Sequence, residues 1–173
     1  MKVHILFAKN ISWWNLFGRL IMWIEKRRCS HTAILVDYYG TYWVYESIWP
    51  VGRKVKIDSW LKRYRMTDVF TLSISDEQKS AGLGQLQTLS KRPYSIFQLL
   101  WIGLGIIFKP FDKWSNWHIL NAHKAMICTE LVAEFLIVQY GVKFPMSPDM
   151  VGINDLEKEL LKMDGVHVWR DQV

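Results

Sequence analysis

Cysteine is nearly absent from this 173-residue chain, with Cys29 and Cys128 the only two. Two thiols make no disulfide framework, so nothing in the sequence demands an oxidising compartment. Long apolar runs are missing as well. The most membrane-like stretch, residues 96–108 (IFQLLWIGLGIIF), falls short of the about 20 residues that span a bilayer, and Gln98 interrupts it. It reads as a buried helix, with contact to a membrane surface as the alternative. Repeats, low-complexity tracts and linkers are lacking. So are zinc-finger spacings, RNA-binding signatures and basic heptad helices, and nucleic-acid binding therefore has no support beyond charge. The opening residues, MKVHILFAKN, form too short an apolar run for a signal peptide and carry no small-residue cleavage pattern, so cytoplasmic synthesis without export by its own signal is expected.

Apolar residues make up 50% of the chain, enough to bury a full core, and residues 1–173 are expected to form one domain. The formal charge of +6 is moderate, and the basic clusters at 26–28, 53–56 and 62–65 read as solvated rims. Ten tryptophans are many for this length. Trp117 and several others are candidates to border a substrate groove or a lipid surface, because the indole suits interfaces and stacking.

The chemistry concentrates on Cys128 and His31. Leu131, Val132, Phe135 and Leu136 follow Cys128 at helical spacing, Glu130 suits a first turn, and Gly141 ends the run. A thiol at a helix N-terminus has a lowered pKa, and an imidazole partner completes the ion pair of a nucleophile. His31 begins a β-branched and aliphatic run, 32–36, and Asp37-Tyr38-Tyr39-Gly40 turns it into a second strand-like run, 41–46. With Tyr39-Gly40 as the loop, Tyr38 opposes Thr41 and Ala33 opposes Glu46. His31 and Glu46 then share a face as diagonal neighbours, with about 7–8 Å between their backbones. A one-residue slip would send Glu46 to the other face. In this register Glu46 is a candidate to orient the imidazole, against the plainer reading of a carboxylate in water on an edge strand.

Elsewhere, residues 11–25 have helical character, with Ser12 as cap and Leu16, Leu20, Ile21 and Ile24 on one face. Ser75-Asp76-Glu77-Gln78 is a capping-box pattern for a helix that must stop by Pro93. Ser147-Pro148-Asp149 suggests another helix start. Residues 154–162 suggest a terminal helix capped by Asn154 and Glu157, and 167–170 a last strand. Residues 111–127 read as a loop or lid. The spacing of His118 and His123 does not place two ligands on one helical face, so no metal site and no cofactor are expected.

The order His, Glu, then Cys on a helix, with CSHTAIL (29–35), VYES (44–47), RPYS (92–95) and CTELV (128–132), resembles the circularly permuted branch of the NlpC-like papain-fold cysteine hydrolases, the YiiX-like group in particular. The sibling lecithin:retinol acyltransferases resemble a Cys-His-His arrangement, and no second histidine lies between His31 and Glu46. The resemblance implies an α+β, papain-like fold in permuted order, an antiparallel sheet packed against the helix that carries Cys128. It implies Cys128 as nucleophile, His31 as base and Glu46 as orienting residue, with Tyr94 lining the site. It also implies an amide of peptidoglycan peptide or a similar bacterial conjugate as substrate, and an envelope-directed role in a bacterium or its phage. The alternatives are a lipid-directed thioesterase, esterase or acyltransferase at a membrane surface, and a binding module without catalysis.

Overall fold

The computed structural model describes residues 2–12, 16–95 and 125–171. The expectations for Trp117, His118, His123 and the 96–108 stretch lie outside these residues. Among the described residues six strands form one sheet: β1 (Lys2–Asn10), β2 (His31–Tyr38), β3 (Thr41–Glu46), β4 (Arg53–Lys56), β5 (Tyr64–Ser73) and β6 (His167–Arg170), in the order β4-β3-β2-β1-β5-β6. Every neighbouring pair is antiparallel. The helices among the described residues are α1 (Leu16–Glu25), α2 (Ile57–Leu61), α3 (Asp76–Leu89), α4 (Cys128–Tyr140) and α5 (Ile153–Leu160), with a 3-10 turn at Pro148–Met150.

Strand alternation sorts the side chains into two layers. Val3, Ile5, Phe7, Ile34, Val36, Tyr45, Phe70 and Leu72 form the main core with α3, α4 and α5. Leu6, Ala8, Ala33, Val44 and Tyr64 face the other way and close over Trp60 of α2. Leu131, Val132, Ala133, Phe135 and Leu136 of α4 are fully buried, so this helix runs through the core and not along its surface. Gly141 ends α4 in the left-handed region, at φ 66°. Helix α3 begins with the anticipated capping box: Gln78 N–H donates to Ser75 Oγ, and Ser75 N–H to Gln78 Oε1. A bulge between Phe7 and Ala8 leaves Thr67 of β5 outside the ladder, and its hydroxyl bonds the Phe7 carbonyl at 3.1 Å.

Several expectations need correction. The sheet is larger than the three strands singled out: residues 2–10 form β1, the basic cluster 53–56 is itself β4, and β5 begins inside the cluster 62–65, whose lysines and arginines stay exposed as the rim reading has it. Leu20, on the apolar face read for α1, is 44% exposed. Helix α5 starts one residue early, with Asp155 bonding the Gly152 N–H. Asn154 instead donates to Glu25, and Glu157 pairs with Arg27 and Arg170. The Ser147-Pro148 signal gives only the 3-10 turn.

The β3–β4 connection places a glycine where only a glycine fits. A Cβ on Gly52 would stand 2.6 Å from the Ser90 carbonyl oxygen and 3.1 Å from that of Glu46. Gly52→Ala is therefore expected to destabilise the fold by about 1–3 kcal/mol in urea unfolding, and to displace the adjoining Arg53.

Candidate functional site

His31 is the first residue of β2 and Glu46 the last of β3. The observed hairpin register, Tyr38↔Thr41 through Ile34↔Tyr45, is the one read from the turn, and it puts both side chains on the α2 face. The carboxylate crosses the diagonal to His31 Nε2 at 2.7 Å. Since an ionised carboxylate only accepts, Nε2 carries the proton and Nδ1 is left for the hydrogen bond to the Cys128 thiol. Cys128 is the first residue of α4, in the positive end of the helix dipole.

Glu46 is not a carboxylate in water; its exposure is 0%. Oε2 accepts from Trp60 Nε1 at 2.9 Å as well as from His31, and Oε1 accepts from Arg53 Nε at 2.7 Å and Nη2 at 2.6 Å. Tyr64 lies flat against the imidazole, with centroids 4.7 Å apart and planes 16° apart, and Trp60 stacks on Tyr64 with centroids 4.8 Å apart. The imidazole is thus held by a carboxylate at its edge and by the Tyr64 ring on its face. Sequence reasoning missed Arg53, Trp60 and Tyr64. Arg53 sits opposite Glu46 in the β3–β4 ladder, so recognising that hairpin would have paired them.

Burial alone would push the Cys128 thiol up and His31 down. Their mutual hydrogen bond and attraction outweigh it. The thiol is lowered, and the imidazole, also held by Glu46, is lifted to about 10. Burial would likewise raise Glu46, but His31 and then Arg53 bring it down to about 2. Thr32 assists: its backbone and hydroxyl both favour the ionised sulfur, although the hydroxyl makes no hydrogen bond of ordinary geometry among the described residues. The other thiol, Cys29, is pushed up to about 12 by burial and by Asp68. Glu130 accepts from the Ile127 N–H at 3.4 Å.

Tyr94 reaches the site through a backbone clasp. Its N–H donates to the Pro50 carbonyl at 2.9 Å, Met126 N–H donates to Pro93 at 2.8 Å, and the Ser47 hydroxyl bonds the Met126 carbonyl. The clasp ties residues 47–50, 93–95 and 126 together just before Cys128. Burial, and then proximity to Cys128, raises the Tyr94 phenol. The structure therefore brings Cys128, His31, Glu46 and Tyr94 into one site. Among the described residues no three His, Cys, Asp or Glu side chains converge as metal ligands.

No family model matches the chain, and no curated protein does. Its fold is similar to the crystal structure of YiiX from Escherichia coli O157:H7, described as a metalloprotein, with a TM-score of 0.61 at 14% identity over 99% of this chain and 97% of that one. At that identity the likeness establishes a YiiX-like α+β fold with an antiparallel sheet packed against helices.

Two outcomes follow from the electrostatics. Near neutral pH, iodoacetamide is expected to modify Cys128 well before Cys29, as read by peptide mapping, because only Cys128 is held toward its thiolate. Glu46, depressed from 4.5 to about 2, contributes stability that is complete above about pH 4.5 and is lost as the pH falls toward 2. Glu46→Gln should therefore cost about 1–3 kcal/mol at neutral pH, by leaving His31 and Arg53 without their counter-charge. The gap between variant and wild type, measured by urea unfolding, should narrow below pH 4.5.

Proposed function

We propose that this protein is a cysteine hydrolase of the permuted NlpC-like, papain-fold type, with Cys128 as nucleophile, His31 as general base and acid, and Glu46 as the orienting residue. The supporting observation is the buried chain from thiol to imidazole to carboxylate, with shifts that favour a thiolate–imidazolium pair. A binding module has no need of such a chain, which costs stability to bury.

In this reading the Cys128 thiolate attacks a carbonyl carbon, and the oxyanion is stabilised by backbone N–H groups in the first turn of α4. Collapse of the tetrahedral intermediate breaks the bond to the leaving group, which takes the His31 Nδ1 proton. Neutral His31 then removes a proton from water, the hydroxide attacks the acyl-enzyme, and the acid product departs as the thiolate and imidazolium are restored. Glu46 stabilises the imidazolium and holds its Nε2 proton throughout. Arg53 and Trp60 keep that carboxylate in place, and Tyr94 lines the site beside Cys128.

The preferred substrate is an amide in peptidoglycan peptide or a related bacterial conjugate, on the strength of the sequence resemblance. Incubation with purified peptidoglycan, and in parallel with acyl lipids in vesicles, followed by mass spectrometry of the products, tests the reaction and its substrate class together. Cys128→Ala and His31→Ala should abolish turnover, and Glu46→Gln should lower it by less. Activity should fall at the alkaline limb as His31 deprotonates near 10, and at the acid limb as the thiolate is protonated. Full activity of Cys128→Ala would overturn the assignment.

A further inference from the structure

Helix α1 exposes apolar side chains that the fold does not use. Trp23 is 70% exposed and Leu20 44%, three apart and therefore neighbours on one helical face, and Ile11 just before the helix is 57% exposed. Cations surround them: Arg19 and Lys26 are exposed on α1 and its end, and Lys9 is exposed at the end of β1. Between α1 and the sheet lies a cleft of about 610 Å³, lined by Lys9, Lys26, Arg27, Arg28 and Arg170 among others, against three carboxylates. Those carboxylates are already answered. Glu157 pairs with Arg27 and Arg170, Asp68 with Arg170, and Asp171 with Arg65. Lys9 and Lys26 have no carboxylate partner among the described residues.

We infer that this surface docks the protein on an anionic phospholipid bilayer, with Leu20 and Trp23 entering the interface and Lys9 and Lys26 meeting the headgroup phosphates. Exposed apolar anchors flanked by cations are the combination that interfacial binding requires, since neither element alone holds a protein firmly. Charge complementarity selects the occupant, because the flanking ring is cationic and its acids are neutralised. Placement supports it: Cys29 lines the cleft, and Ala8 pairs with His31, so the surface and the candidate site share one end of β1 and β2. The inference goes beyond the proposed chemistry and stands whether or not Cys128 is a nucleophile.

Sedimentation of the full chain with vesicles tests it without any substrate. Binding is expected to vesicles of phosphatidylcholine mixed with phosphatidylglycerol, to weaken with added salt, and to be slight with phosphatidylcholine alone. Lys9→Gln with Lys26→Gln should weaken it about 30-fold, from roughly 1 kcal/mol per cation at the surface. Leu20→Ser with Trp23→Ser should weaken it about tenfold or more. Unchanged circular dichroism and Cys128 alkylation would show that each variant folds. Absence of binding to the anionic vesicles, equal binding to both compositions, or affinity unchanged in both folded variants would overturn the proposal.

Discussion

The buried carboxylate of Glu46 is the constraint on which the rest of the site depends. A charge with no exposure survives in a fold only when its lone pairs are filled, and here they are filled from three directions by an imidazole, an indole and a guanidinium. Each donor comes from a different element, β2, α2 and the start of β4. Satisfying one anion therefore fixes the relative placement of three segments.

That arrangement also divides the electrostatic labour. Arg53 takes one oxygen and is partly open to solvent, which offsets the cost of burying the carboxylate. The other oxygen faces His31 and remains able to favour the charged ring. Tyr64 covers a face of the imidazole, and in the lower dielectric of a buried site the same charges act more strongly.

Legibility in the sequence followed the range of the interaction. The β2–β3 hairpin, its register, the capping box of α3, the Cys128 helix and its Gly141 terminus are set by neighbouring residues, and they were readable. Glu46 beside His31 followed from that register. Arg53, Trp60 and Tyr64 were not readable, because nothing local marks their types as site residues and their role depends on how β4, α2 and β5 fold back. Asn154 and Glu157 carried the look of helix caps, yet the fold uses them to tie α5 to α1, to Arg27 and to β6. A polar residue near a helix start has several partners open to it, and only tertiary placement decides among them.

The wide separation along the chain of the groups that meet at Cys128 has a consequence for biosynthesis. His31 and Glu46 are joined by a single tight turn and pair early, whereas the thiol enters 82 residues after Glu46. Until α4 is seated, the sulfur lacks its imidazole, its helix dipole and Thr32, and behaves as an ordinary protonated thiol. The lowered pKa of Cys128 is thus a property of the closed fold. An unfinished or damaged chain carries an ordinary cysteine.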